Sequence, residues 1–379
     1  MQTIQMGPSP WRHALYAYMS GHANPSPWLS LALAPLWIAS YLYGAASAGR
    51  HASYTYGLQH PKRLPCKVIS IGNLTLGGTG KTQLTIWMAR WFHQHGWRVA
   101  VLSRGYGARH EGPIQLVSTG QGPTVDWRNA GDEAYLLAQR LSGVPILTGK
   151  DRYRSGLYAY HQFGSQVVIL DDGFQYYALH RDLDLVLIDA SNPFGHGALF
   201  PRGTLREPLR AMRRADAIIV TRAENPSASL DVLQRRIRRW HDTQSIYTMT
   251  TSVEGLQQAK ADHCKAPPRL RGHRVIAFSA IGNPQALSTT LHQLGCNVVA
   301  VAVFPDHHPY TTKDWHAIVK LAHQHRADCL ITTEKDAVRL DPDWQAPMPV
   351  YVLRIGVRFT PDNTSPQQLL QTLMATDAS

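Results

Sequence analysis

The run Thr75-Leu76-Gly77-Gly78-Thr79-Gly80-Lys81-Thr82 holds the residue types that grip a nucleotide. It follows the apolar stretch Val68-Ile69-Ser70-Ile71-Gly72-Asn73 and opens a helical pattern from Gln83 to His95. A strand, a glycine-rich turn and Gly-Lys-Thr at a helix start let backbone N–H groups converge on phosphate oxygens, where the helix N-terminus adds partial positive charge. Lys81 would reach the β- and γ-phosphates, and the Thr82 hydroxyl would ligate Mg²⁺. Thr75 stands where this pattern usually has its first glycine. The run points to ATP or GTP.

Further candidates lie at the ends of other apolar runs. Val167-Val168-Ile169-Leu170 leads into Asp171-Asp172, and an acid at such a strand end holds Mg²⁺ directly or through water. Asp172-Gly173 also suits a plain turn. Gly131-Asp132-Glu133 opens a helix, where Asp132 could serve as the N-cap. Arg104, in Ser103-Arg104-Gly105-Tyr106-Gly107, falls at the edge where ligands bind in open α/β sheets. Arg152 and Arg154 begin the helix after Thr148-Gly149-Lys150, and Arg206-Glu207-Pro208 begins another. Singly these arginines are ordinary surface charges. Gathered at strand ends, they would offset the repulsion between two anionic substrates.

Phe304-Pro305-Asp306-His307-His308-Pro309-Tyr310 offers a His-His pair behind an aspartate, either a metal half-site or an acid–base element. Thr332-Thr333-Glu334-Lys335-Asp336 follows another strand, so the two loops are expected to face one cleft.

These residues need a scaffold. Short apolar runs at 67–73, 98–103, 144–148, 166–171, 185–189, 217–221 and 245–250 alternate with helical patterns at 81–95, 131–141, 151–163 and 205–215. Such alternation implies a parallel sheet covered on both faces. Lys265-Ala266-Pro267-Pro268-Arg269 reads as a linker, after which strands at 274–279, 298–303, 329–332 and 350–354 alternate with helices at 284–294 and 311–325. The expected fold is α/β: a P-loop NTPase-like domain over 58–265, a smaller α/β domain over 266–379, and a membrane-associating segment over 1–57.

Composition bounds the partners. A chain that is 44% hydrophobic and 17% charged is globular, and its four scattered cysteines show no zinc-ligand spacing. The net charge of +12 calls for nucleic acid, an anionic membrane or a phosphorylated substrate. Basic residues concentrate over 202–214 and at Arg235-Arg236-Ile237-Arg238-Arg239, on a helix expected over 227–241. No aromatic-studded basic surface is recognisable, so no nucleic-acid partner is expected. From Trp28 to Gly49 no residue is charged, a run long enough to cross a bilayer. Pro35 interrupts it, and Arg50, Lys62 and Arg63 follow whereas only Arg12 precedes, which puts the bulk of the chain in the cytoplasm. The run reads as a span or an interfacial anchor. A buried helix, or a signal peptide cleaved near Ala46-Ser47-Ala48, is the alternative.

In their order, the 75–82 loop, Ser103-Arg104-Gly105-Tyr106-Gly107, Gly131-Asp132-Glu133, Asp171-Asp172-Gly173-Phe174-Gln175, Pro201-Arg202-Gly203, Leu205-Arg206-Glu207-Pro208, Phe304-Pro305-Asp306-His307-His308 and Thr333-Glu334-Lys335-Asp336-Ala337 resemble the tetraacyldisaccharide 4'-kinases, the lipid A 4'-kinases of Gram-negative bacteria. The likeness runs from the hydrophobic segment to about Leu340. Thr75 belongs to this family's version of the loop, and Ala134 departs from a proline that members often carry.

The resemblance implies transfer of the ATP γ-phosphate to the 4'-hydroxyl of a tetraacylated glucosamine disaccharide 1-phosphate. It further implies Asp132 as the base with His307 paired to it, and Lys81, Thr82 and Mg²⁺ on the phosphates. Asp171, Asp172 and Glu207 would serve the metal, while Arg104, Arg152 and Arg206 would neutralise charge on the moving phosphoryl group or the acceptor. The implied partners are the acylated disaccharide 1-phosphate lipid and the inner-membrane bilayer, with the enzyme anchored on its cytoplasmic face. Competing classes are a membrane-associated P-loop regulatory or nucleic-acid-dependent ATPase and a membrane-tethered GTPase. Against the GTPase, no Asn-Lys-x-Asp signature occurs, and Thr333-Glu334-Lys335-Asp336 is only a partial echo.

Overall fold

The computed structural model describes residues 2–6, 15, 18–21, 33–224, 226–241, 245–259, 270–360 and 366–375. The linker expected at 265–269 and the first part of the apolar run, 28–32, lie outside these residues. The chain opens with β1 (Gln2–Gln5) and α1 (Pro35–Thr55). A first half follows: β2 (Lys67–Asn73), α2 (Lys81–Gln94), β3 (Val99–Ser103), β4 (Gln115–Ser118), α3 (Trp127–Ala130), α4 (Asp132–Arg140), β5 (Ile146–Thr148), α5 (Arg152–Phe163), β6 (Val167–Asp171), β7 (Leu183–Asp189), β8 (Ala217–Thr221) and α6 (Leu230–Arg238). Then β9 (Ile246–Gln258) leads to β10 (Arg274–Ser279), α7 (Pro284–Gln293), β11 (Asn297–Val303), α8 (Thr312–Gln324), β12 (Cys329–Thr333), α9 (Glu334–Ala337), β13 (Val350–Phe359) and α10 (Pro366–Ala375).

In the first half, β2, β3, β6, β7 and β8 pair in parallel, and nearly all their residues are buried. Such strands need cover on both faces, which is why they read as near-continuous Val/Ile/Leu runs. On one face α2 adds Leu84, Met88 and Phe92 to a cluster with Ile69, Ile71 and Val101. Each fully buried side chain of this size contributes about 1.5–3 kcal/mol. On the other face Leu233 and Ile237 of α6 pack with Val186 and Ile218. Leu370 of α10 returns to the α2 face, so the end of the chain packs on the first half.

The described strands form one thirteen-stranded sheet, ordered β1-β11-β10-β12-β13-β9-β8-β7-β2-β6-β3-β5-β4. Its middle decides the geometry of the site. β9 runs parallel to β8 only through Ile246, Tyr247 and Thr248, and β13 runs parallel to β12 only from Val350 to Leu353. β9 and β13 pair antiparallel from Tyr351↔Gln258 to Phe359↔Met249, and from Arg354↔Gly255 onward they pair with each other alone. First-half strands therefore point along β9 toward the second half, and second-half strands point along β13 toward the first. The carboxyl edges of the two half-sheets face each other, with a two-stranded ribbon joining them.

Several elements differ from the sequence expectation. β9 extends eight residues beyond the expected end at 250, because its polar continuation shows no alternation and is held by β13. The segment expected as a helix over 205–215 is a 3₁₀ turn, Leu209–Arg214, starting only after Pro208. β1 and β4 are edge strands too short to recognise. The N-terminal run requires a larger correction. Among the described residues no helix is long and apolar enough to cross a membrane. α1 starts inside the run and ends beyond it, so Arg50 and His51 lie within the helix. One side of α1 is committed to protein: Ser40 Oγ donates to Leu199 O at 2.9 Å and Tyr43 OH to Arg206 O at 3.0 Å.

The halves are locked together behind the cleft. Register shifts between Arg354 and Ile355 opposite Gly255 and Val253, leaving Glu254 as the extra residue of a bulge. At the C-terminal end of α4, Arg140 donates to Glu254 at 2.6 Å and to Glu334 at 2.5 Å. The Arg140 and Glu334 side chains are 3% and 9% exposed. Burial pushes the Glu334 carboxyl up even beside this guanidinium, so the pair aligns the halves rather than adding much net stability. Arg140→Met should leave the buried Glu334 carboxylate with only Arg354, 3.5 Å away, as a cationic partner and lower unfolding stability by about 3 kcal/mol. Urea denaturation would read this, and a loss under about 1 kcal/mol would contradict the assignment.

Candidate active site

The phosphate-loop residues occupy the turn between β2 and α2. Gly80, with φ 90°, is the left-handed N-cap from which Lys81 and Thr82 enter the helix. Thr75 has an ordinary φ and forms a bridge with Leu205, while the Leu76 N–H donates to Thr204 O at 2.7 Å. A position held as an extended strand does not need glycine, which explains the threonine. From the end of β8, Thr221 Oγ1 donates to Thr79 O at 2.9 Å and Arg222 to Gly78 O at 2.6 Å. Leu76 and Gly78 are exposed, whereas Thr79 is buried.

Charged groups surround this loop. Lys81 Nζ donates to Asn73 Oδ1 at 3.1 Å and lies 3.7 Å from Asp172. Arg206 Nη1 donates to both Asp172 oxygens, at 2.7 and 3.0 Å. Burial pushes the Asp172 carboxyl up, but Lys81 and Arg206 outweigh it and hold it down to about 2. Asp171 goes the other way: burial and the nearby Glu133 charge raise it to about 7. Arg152 is buried under the Tyr176 ring, 4.9 Å from its centroid, with an Nε that has no hydrogen-bond partner. Arg104 is exposed and makes no hydrogen bond or ion pair among the described residues.

The donor set suits Mg²⁺, which binds through one or two carboxylates while phosphates and water fill its other positions. Asp171, Asp172 and the Thr82 hydroxyl are hard oxygen donors, and a cation beside Asp171 would relieve the repulsion that raises it. Glu207 has other neighbours than the motif implied: its Oε2 accepts from Tyr177 OH at 2.9 Å and Arg214 Nη1 at 2.8 Å. Among the described residues no three His, Cys, Asp or Glu side chains converge as a metal cluster.

The Asp132–His307 pair spans the cleft. Asp132 is the first residue of α4, preceded by the N-cap Gly131 at φ 83°, where a Cβ would come within 2.8 Å of Tyr106 O. Asp132 is therefore not the cap; its Oδ1 accepts the Glu133 N–H at 2.9 Å. His307 Nδ1 meets Asp132 Oδ2 at 2.8 Å, joining the second half to the first. Lys335 Nζ lies 3.2 Å from His307 Nε2 and 3.1 Å from Glu133. Arg339, 1% exposed in its side chain, donates to Asp336 at 2.6 Å and approaches Asp132 at 3.7 Å. His308 turns away, bonding Asp314 at 2.9 Å and stacking on Phe304. The second half also reaches the phosphate loop, since a Cβ on Gly282 would lie 3.1 Å from Gly78 N.

The structure thus gathers Lys81, Arg152, Arg206, Asp171 and Asp172 on one side and joins Asp132 to His307 on the other. The Phe304–Tyr310 and Thr332–Asp336 loops do meet, as expected. Sequence reasoning missed Asn73, Arg222 and Arg339. Asn73 ends a recognisable strand, but Arg222 and Arg339 carry no local signal.

A nucleotide-type loop accompanied by a buried aspartate paired with a half-buried histidine defines a P-loop phosphotransferase. Residues 32–375 match the model of the tetraacyldisaccharide-1-P 4'-kinases. The tetraacyldisaccharide 4'-kinase of Syntrophus aciditrophicus is 37% identical over 89% of this chain and 92% of its own. That of Anaeromyxobacter dehalogenans is 41% identical over 84% of each. The LpxK structure from Aquifex aeolicus, solved in complex with ATP, superposes with a TM-score of 0.71 at 32% identity, covering 92% of this chain and 99% of that one. The chain belongs to the tetraacyldisaccharide 4'-kinase family.

Burial raises the Asp132 carboxyl, but the His307 hydrogen bond and the Lys335 and Arg339 charges outweigh it and hold it below the usual range. A depressed carboxyl adds stability above its unfolded value, about 4, and loses it as pH falls through the lower folded value. The stability advantage of the wild type over Asp132→Asn should be present at neutral pH and fade below about pH 4. Urea midpoints across that range would show it; a gap independent of pH would contradict the charged state.

Proposed function

We propose that the carboxyl edge of the first half carries both reacting groups of the kinase reaction, ATP on the loop after β2 and the acceptor hydroxyl at Asp132, while the second half reaches across the cleft to Asp132 with His307. The reaction is transfer of the ATP γ-phosphate to the 4'-hydroxyl of a tetraacylated disaccharide 1-phosphate. The observation that carries this reading is the hydrogen bond between Asp132 and His307, by which the second half holds a charged carboxylate on the half that also bears the phosphate loop. A sugar hydroxyl is a poor nucleophile at neutral pH, and a positioned carboxylate that takes its proton contributes about 10²–10⁴-fold.

Loop N–H groups, Lys81 and Arg206 would hold the phosphates, with Lys81 and Arg206 leaving Asp172 when ATP arrives. The unpartnered Nε of buried Arg152 supports an anion near Asp171 and Asp172. Arg104 is exposed nearby and free to meet the moving phosphoryl group or the acceptor. Mg²⁺ held by Thr82, Asp171 and Asp172 would supply charge neutralisation at the β- and γ-phosphates. Glu207 would act at one remove, ordering Tyr177 and Arg214. Closure of the ribbon-linked halves would bring both reactants together and exclude water.

The acceptor's acyl chains favour a bilayer by about 0.8 kcal/mol per CH₂, so this reading places the enzyme at the inner-membrane surface. In support, α1 leaves Trp37, Ile38, Tyr41 and Leu42 exposed, and Arg202 stacks over the Trp37 ring. That contact is peripheral rather than spanning. The test is transfer from labelled ATP to the acceptor, with the product's phosphate position assigned. Asp132→Asn should lower kcat by about 10³-fold while the KM for ATP moves less than about twofold. Near-normal turnover would remove Asp132 as the base. In the same assay, joint Ile38→Ser and Leu42→Ser substitution should impair turnover of vesicle-embedded acceptor but not of detergent-dispersed acceptor. Equal effects on both would remove the membrane contact.

A further inference from the structure

A paired Asp and His leave two possible proton acceptors, the carboxylate itself or the far nitrogen of the imidazole. We propose that Lys335 is a positioning residue that fixes the His307 proton on Nδ1 and so makes Asp132, not the imidazole, the group that takes the acceptor's proton. The inference rests on Asp132 and His307 forming the acid–base pair of the kinase reaction.

An ammonium group carries three N–H donors and no lone pair. Lys335 Nζ lies 3.2 Å from His307 Nε2, so Nε2 must present its lone pair to it. A neutral imidazole with an unprotonated Nε2 has its hydrogen on Nδ1. That hydrogen points at the Asp132 carboxylate, 2.8 Å away. The other neutral tautomer would set N–H against ammonium and a lone pair against a carboxylate. The imidazolium would also place an N–H against the ammonium.

Lys335 is well placed to stay charged. Burial alone would favour loss of its proton, but the Glu133, Asp306 and Asp132 carboxylates outweigh burial and raise its pKa. Glu133 accepts from it at 3.1 Å and Asp306 lies 3.6 Å away. Every element around the ring is accounted for. Asp132 and Glu133 face it from α4, Lys335 from α9, Asp306 from its own loop, and the Tyr106 ring lies 5.4 Å off after β3. Arg339 stands behind Asp132.

With Nε2 occupied, the imidazole has no lone pair for the substrate. In the transfer step the acceptor O–H bond breaks and its proton moves to an Asp132 carboxylate oxygen. The acceptor oxygen bonds to the γ-phosphorus, and the bond from that phosphorus to the bridging oxygen breaks with its electrons leaving on ADP. His307 donates to Asp132 throughout and orients it.

The experiment is ¹⁵N-histidine NMR of the full chain at neutral pH, with the His307 signals assigned by difference against His307→Gln. The wild type should show a protonated Nδ1 and an unprotonated Nε2. Lys335→Met, which keeps the stem and removes the donors, should lose that signature, and Lys335→Arg, which keeps donors, should retain it. In Lys335→Met, kcat should fall about tenfold or more with the KM for ATP changed less than about twofold. A wild-type His307 protonated on Nε2 would overturn the proposal whether or not any variant folds. An unchanged signature in Lys335→Met would overturn it as well. Neither result would touch Asp132 as the base, which stands or falls on the turnover of Asp132→Asn.

Discussion

A carboxylate withdrawn from water costs several kcal/mol unless charges and hydrogen bonds replace its hydration, and at Asp132 those replacements come largely from the far half of the molecule. The His307 ring, the Lys335 ammonium and the Arg339 guanidinium all arrive from loops at the ends of β11 and β12. The first half alone offers the carboxylate the Glu133 N–H. A charged Asp132 carboxylate therefore exists only where the two halves meet. Under the proposed mechanism, proton acceptance is thereby tied to the same approach that brings Gly282 against the phosphate loop.

The ribbon makes that meeting possible. Were the half-sheets joined side by side by parallel strands, their carboxyl edges would point the same way. The antiparallel pairing of β9 with β13 turns one set against the other. The bulge at Glu254 feeds a carboxylate to Arg140, and Arg140 also holds Glu334, the residue before Lys335. α4 is thus gripped at both ends by the second half. Its N-terminus carries Asp132, and its C-terminus fixes the angle at which that carboxylate is presented.

What was legible in the sequence was local. Gly80-Lys81-Thr82, Asp171-Asp172 and Asp306-His307-His308 each sit at the end of an apolar strand, where chain order and spacing suffice to mark them. The ribbon was not legible, because Thr250-Thr251-Ser252-Val253-Glu254-Gly255 has neither alternation nor an apolar run, and its strand character comes from a partner about a hundred residues away. No local pattern marks Arg140 or Arg339, and only burial reveals them as structural. The N-terminal run misled for a related reason. Hydropathy counts apolar residues but not the loop at Leu199 and Arg206 that covers one side of α1. The choice between His307 and His308 likewise needed three dimensions, since only a capping box on α8 shows that Asp314 claims the second histidine.

The central claim is that Asp132 and His307 act as one unit across the cleft. A double-mutant cycle in kcat/KM, using Asp132→Asn, His307→Ala and the pair, tests it most directly. The account predicts strong non-additivity, with the double variant losing little more than Asp132→Asn alone. Losses that simply multiply would mean that the two residues act independently, and would contradict it.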